Sequence, residues 1–485
     1  MTHSNLSGFD LQAAARQEMI GRGFEPGFSP EASRQAQSPQ PAINGAARDM
    51  RNLPWSSIDN DTSRDLDQIE AAERLDDGSI RIRIGIADVD LYVAKGSPID
   101  NHAAAQTATI YTGVKNFSML PDELSTGLTS LLENVDRHCI VIEMVIDRDA
   151  NIASSDVYAA VTRNRAQLTY RAVGAWLEGS GAPPAKVAAS AELQDQINIQ
   201  DEAAQRMRAA RYRMGALNLD SIETQPVLSN GRVTGIESVR KNRASELIED
   251  FMIAANGVIA KMLEDRHVSS IRRVVKTPER WGRIVELAAK LGETLPAEPN
   301  SGALNAFLLK RKAVDPMHSA DLSLAVVKLM GPGEYVLERP GDVGQGHFGL
   351  AVHDYTHSTA PNRRFADLVT QRLIKAVLAN APSPYSDDEL AAIARNCTLK
   401  EDQARKIERV MSKRIAAAAL QRRVGESFQA IVTGVTPKGT FVRVLDPTVE
   451  GRLMRGEVGV DVGDAIRVKL VRTDVVHGFI DFERN

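Results

Sequence analysis

The chain has 485 residues, 43% hydrophobic and 25% charged, with 59 Lys and Arg against 63 Asp and Glu and a net charge of −4. That length suits about three domains with apolar material for several cores, and the mild acidity excludes a uniformly basic, histone-like coat while leaving room for a local basic groove. Cys139 and Cys397 lie far apart with no Cys or His at zinc-ligand spacing, which excludes a disulfide framework and a structural zinc site.

Leu11 to Gly21 reads as a short helix, and Gly23 to Pro41 is rich in Pro, Ser, Gln and Gly. This opening has no basic start followed by an apolar run, and nothing along the chain is apolar enough to span a bilayer, so a cytoplasmic protein with no membrane partner is expected. The segment is too short for a barrel domain. A small helical module or tail is preferred over a helix-turn-helix reader, for which no recognition helix is visible.

The most chemically loaded stretch follows, Ser57 to Gln68, with Asp59, Asp61, Asp65 and Asp67 inside nine residues. Like charges this close repel, and a cation neutralises them. Oxygen-only ligands point to a hard ion, Mg²⁺ or Mn²⁺. Asp65 and Asp67, at strand spacing, share a face. The central Gly and closing Glu of an EF-hand are missing, and a solvated loop of Asx-turns is the competing reading.

The turn Asp76-Asp77-Gly78 predicts a hairpin between Leu66 to Leu75 and a strand from Ser79, with Ile80, Ile82, Ile84 and Ile86 on one face and arginines on the other. His138 to Asp147 and Ile152 to Thr162 read as further strands. The period then becomes helical over Ala166 to Leu177, Glu192 to Leu217 and Arg243 to Glu264, the last with Leu247, Phe251, Ala254, Ala255 and Val258 in one stripe. Strands first and helices later predict an α+β domain with one large core.

Downstream, Thr359-Ala-Pro-Asn-Arg-Arg-Phe-Ala-Asp367 sets Arg363 and Arg364 at the start of a helix running through Leu373. Guanidinium forks suit a developing phosphoryl charge, and ordinary surface arginines are the alternative. Asp387 to Arg423 reads as a long helix. Between Lys400 and Arg423 it carries eight Lys and Arg against three Asp and Glu, a solvated face or a track for phosphates. From Gly425 the texture is five short strands, Ser427 to Val435, Thr440 to Val444, Gly451 to Leu453, Ala465 to Arg472 and Gly478 to Phe482, which match a small OB-type barrel.

Together these segments resemble the ribonuclease II family, whose catalytic RNB domain belongs to processive 3′→5′ exoribonucleases. The likeness covers roughly residues 50 to 420. Its blocks, in the family's order, are the aspartate cluster, Ile84-Gly85-Ile86-Ala87-Asp88, Gly96-Ser97-Pro98-Ile99-Asp100, Met119-Leu120-Pro121, Glu249-Asp250-Phe251-Met252, and the two stretches Gly346 to Ala351 and Thr359 to Leu368. The C-terminal barrel is similar to the S1-type RNA-binding domain that this family carries there. The resemblance implies an α+β protein in three parts: a short helical N-terminal segment over residues 1–48, a large RNB catalytic domain (a mixed sheet packed with helices) over 49–422, and an S1-like OB-fold barrel over 424–485.

By the same resemblance Asp59, Asp65 and Asp67 match the Mg²⁺- or Mn²⁺-binding aspartates, Asp65 and Asp67 being catalytic together with Arg363. Tyr111 matches the tyrosine that sets the terminal nucleotide, Tyr170 an aromatic that stacks on the last bases, and Glu249 the acid that reaches the 3′-terminal sugar, with Asp250 as its alternate. Phe441 is either an exposed base platform of the barrel or a core residue. The implied activity is metal-assisted, two-metal hydrolysis of single-stranded RNA to nucleoside 5′-monophosphates by a monomer. Three features depart from the pattern: Gln68 stands at the fourth signature aspartate, Leu219 falls near a second stacking aromatic, and no cold-shock barrels precede the RNB block. Gln68 motivates the rival reading of a catalytically weakened RNA-binding relative.

Overall fold

The structure is a computed structural model that describes residues 9–41, 47–229, 232–437 and 439–485; the first eight residues, read above for a leader, lie outside them. It is an α+β molecule built on a seven-stranded mixed sheet. In spatial order the strands are Arg48–Asp49, Ile152–Arg163, Asp136–Ile146, Ile80–Ala87, Gln68–Arg74, Ser56–Asp59 and Ala166–Thr169. The centre is antiparallel, and the first and last pairings are parallel. Ile80, Ile82, Ile84 and Ile86 are all buried, as their alternation predicts. Arg81 and Arg83 instead form ion pairs with Glu73 and Glu143 on the neighbouring strands. Helices Ala191–Arg213, Arg243–Asp265 and Phe365–Leu378 add Ile197, Phe251, Leu368 and Leu373 to the main core.

One predicted element is corrected. Ala166 to Leu177 is not a single helix: Ala166–Thr169 is an edge strand beside Ser56–Asp59, and the helix is Tyr170–Leu177. Thr169 ends the strand and caps the helix, its hydroxyl accepting the Ala172 N–H at 3.3 Å. The correction bears on the site, because the strand register sets Thr169 opposite Asp59 and so starts the helix, with Tyr170, beside it.

The Pro- and Ser-rich opening contains a second helix, Pro30–Gln37, capped by Ser29. Ala15, Met19 and Phe24 of the N-terminal segment pack with Ile110, Phe117, Ile407 and Met411. They thereby brace the ribbon that carries Tyr111 against the 34-residue helix Asp387–Leu420. The C-terminal strands close into a five-stranded barrel in the order Ser427–Thr436, Gly439–Leu445, Thr448–Arg455, Phe479–Arg484, Ala465–Asp474. Thr440, Val442 and Val444 point into its core, so Phe441 and Arg443 lie on its outer face. Arg443 makes a forked pair with Asp321 of helix Ser319–Met330 and ties the barrel to the main body.

Candidate active site

Asp65 and Asp67 flank the buried Leu66, whose N–H donates to Ser130 Oγ at 3.0 Å and whose carbonyl accepts from Leu131 N–H at 3.0 Å. These bonds pin the stretch just before strand Gln68–Arg74. From 295 residues downstream, the Asn362 backbone N–H donates to Asp67 Oδ1 at 3.0 Å, and Arg363 Nε stands 3.5 Å from Asp67 Oδ2. The turn that delivers them is itself fixed. Asp367, fully buried at the start of its helix, accepts the Ala360 N–H at 2.8 Å and Arg364 Nη2 at 2.7 Å, and Thr129 Oγ1 donates to Asn362 Oδ1 at 2.6 Å.

The two consecutive arginines therefore part company. Arg364 turns inward to Asp367, and Arg363, with its side chain 44% exposed, faces the aspartates. The Arg363 carbonyl accepts from Thr109 N–H at 3.0 Å, which lays the Tyr111 ribbon beside it. Tyr111 is 41% exposed, and the two residues line one small cavity.

Burial dominates the electrostatics of this floor. Asp67 is 2% exposed, and desolvation pushes its carboxyl up to about 7, against the pull of Arg363 and the Asn362 N–H. Asp59 and Asp65 are also raised, first by burial, and Arg363 again pulls each back down. Arg363 meets Asp67 and is also the cation whose field reaches Asp59 and Asp65, so the three acids outnumber the positive charge beside them. Among the described residues no group of three or more His, Cys, Asp or Glu side chains closes to metal-ligating distance. By donor chemistry the site nevertheless fits a hard divalent ion, since its donors are desolvated carboxylates with no histidine or cysteine among them. Asp61, considered with them in sequence, pairs instead with the exposed Arg171 at 2.7 Å.

A larger cavity of about 890 Å³ opens alongside, lined in part by Glu249, Asp250, Arg405 and Arg409. Asp250 is committed to a buried ion pair with Arg208 and Arg211, whereas Glu249 is exposed in the wall, 2.6 Å from Lys241 Nζ. Tyr170 lies within the fields of Asp59, Glu70, Arg363 and Glu249, and so belongs to the same locus. Leu219 lines the wall, and so does Tyr212, which in sequence reads only as part of a helix. Phe441 lies on the half-exposed outer face of the barrel.

The family model for the RNB domain matches residues 47–380, and that for the RNase II-type exonuclease C-terminal S1 domain matches residues 426–485. The chain belongs to the RNB-domain family and carries an RNase II-type S1 domain at its C-terminal end. It is 30% identical to ribonuclease R of Thermotoga maritima over 90% of its own length, and spans 64% of that relative. The structure superposes on Mycoplasma genitalium RNase R in complex with ribose-methylated single-stranded RNA with a TM-score of 0.87, at 21% identity and covering 98% of this chain and 78% of that one. It also superposes on yeast Ssd1, described as a pseudonuclease, with a TM-score of 0.71 at 17% identity, covering 95% of this chain and 56% of that one.

Proposed function

We propose that the protein is a 3′→5′ exoribonuclease that degrades single-stranded RNA processively and releases nucleoside 5′-monophosphates by metal-assisted hydrolysis. The observation that carries this reading is the convergence of Asn362 and Arg363 on the buried Asp67, which sets a guanidinium against a carboxylate floor. Asp59, Asp65 and Asp67 would hold the divalent ions, which would supply an activated water and charge neutralisation at the leaving oxygen. Arg363 orients the scissile phosphate and balances its growing charge. Tyr111, beside Arg363, sets the terminal nucleotide. Tyr170 stacks on the last bases, and Glu249 accepts a hydrogen bond from a ribose hydroxyl, which makes DNA the poorer substrate. Phe441, facing outward next to Arg443, is a base platform on the S1 domain, which gathers the strand. The division at residues 1–48, 49–422 and 424–485 follows these roles.

A time course on end-labelled single-stranded RNA with Mg²⁺, Mn²⁺ or EDTA tests the reading. Mononucleotides accumulating from the 3′ end, with no product in EDTA, are expected. Tight RNA binding without product at any metal concentration overturns it in favour of a catalytically weakened RNA-binding relative, the reading that Gln68 supports. Internal fragments would show an endonuclease.

A further inference from the structure

Glu70 is 0% exposed, and neither of its carboxyl oxygens has a hydrogen-bond partner among the described residues. Buried acids that serve only packing are found paired, because an unpaired one is costly to desolvate. Its surroundings do not satisfy it. Ser56, its direct cross-strand neighbour, has an unpartnered Oγ, and Gln200, whose amide reaches the Glu70 carbonyl at 3.5 Å, leaves its own Oε1 unpartnered. The charged group that acts on Glu70 is Asp59, and Glu70 acts in turn on Tyr170.

Position 68, where the acidic signature is broken by Gln68, and position 70 lie two apart on strand Gln68–Arg74 and so share a face. A glutamate is one methylene longer than an aspartate. Glu70 therefore projects from the side of the strand where the missing carboxylate would stand.

We propose that Glu70 is the fourth acidic group of the cation site, serving the Asp59 side of it in place of the residue at 68. It acts through the cation's surroundings as a positioning residue, with the Ser56 hydroxyl of the paired strand available to donate to it. The inference rests on the metal-dependent reading above.

Binding of Mn²⁺ alone, followed by calorimetry and by the loss of free-ion EPR signal, tests it without recourse to turnover. Glu70→Gln should weaken Mn²⁺ binding about tenfold, the scale of losing an outer-sphere carboxylate. Gln68→Asp added to Glu70→Gln should restore most of that loss, yet change affinity less than threefold when Glu70 is intact. Equal affinity in wild type and Glu70→Gln, or no restoration by Gln68→Asp, overturns the role of Glu70 alone. Absence of Mn²⁺ binding in the wild type overturns the cation site itself. Should Glu70→Gln not fold, Glu70→Asp, which withdraws the acid by one methylene, carries the same comparison: weakened binding restored by Gln68→Asp supports the role, and unchanged binding refutes it.

Discussion

The floor of the site and the wall of the large cavity treat buried carboxylates in opposite ways. On the floor Asp67 meets Arg363 at 3.5 Å, and the same guanidinium is the cation that acts on Asp59 and Asp65. In the wall Asp250 alone receives two, from Arg208 and Arg211. Asp250 is electrically complete as folded, so this acid shapes the cavity. The floor is incomplete, so its acids are set to take up further positive charge.

Removing one negative charge from each region separates the two cases. Asp67→Asn keeps the size of the side chain and an oxygen for the Asn362 N–H, so folding and RNA affinity, the latter measured by filter binding, should change little. Single-turnover cleavage should fall by about 10⁴-fold, as for groups acting directly on the reacting centre; near-wild-type cleavage would exclude Asp67 from the chemistry. Asp250→Asn should do the reverse. It leaves Arg211 without its carboxylate and Arg208 with Glu246 alone, and should cost about 3 kcal/mol of stability in denaturant unfolding. An unfolding midpoint equal to wild type would show that the wall pair is dispensable.

The same contrast explains what was legible in the sequence. The aspartate cluster is contiguous, so its charge density is visible without a fold. Its answering arginine lies hundreds of residues away, and only the family resemblance separated Arg363 from Arg364. Glu70 was invisible as a site residue, since in sequence it is one more acid in a strand, and only burial without a partner marks it out. The Ala166 to Leu177 segment misled because a short apolar stretch fits helical period and strand alike. Hairpin Ile222–Ser229 and Arg232–Arg240 was missed because Pro226 and several polar residues mask its alternation. Fold class and the barrel were readable because Ile80 to Ile86 alternate in sequence and strands such as Gly439–Leu445 alternate in burial, even though bulges interrupt others, among them Ser427–Thr436.

A smaller effect comes from two histidines, His347 in the wall and His357 in the smaller cavity beside Tyr111 and Arg363. Burial holds His347 down to about 4, and His357 is depressed well below its ordinary value, by burial first and then by Arg364, Arg273, His347 and Arg363. Both are neutral in the folded state, whereas the unfolded chain protonates them near pH 6.5. Their contribution to stability is therefore complete above pH 6.5 and is lost as pH falls below it, at up to about 1.4 kcal/mol per pH unit for each group, ending near pH 4 for His347. His357→Asn keeps a polar atom for the Tyr335 hydroxyl, which now meets Nδ1 at 2.8 Å. It should flatten the fall in unfolding free energy between pH 6.5 and 5; an unchanged slope would remove His357 from the account.

The mildest test concerns the basic helix, whose eight cations suit solvent and phosphate equally well on paper. The structure divides them. Arg414 pairs with Glu18, Arg423 with Glu426, and Lys400 donates to the Gly23 carbonyl. Arg405 and Arg409 reach the cavity, and of these Arg405 is also tied to Glu401. Arg409 is exposed there, so it is the cation most free to meet a backbone phosphate. Arg409→Ala should weaken RNA binding by only a few-fold at moderate salt, without base preference, and leave single-turnover cleavage at saturating RNA unchanged. Its diagnostic is the salt dependence. Losing one single-strand phosphate contact should make the slope of log K against log salt shallower by about 0.7. A parallel line displaced from wild type would mean that Arg409 acts on packing and not on phosphate, and the basic run would then be a solvated helix face that happens to border the cavity.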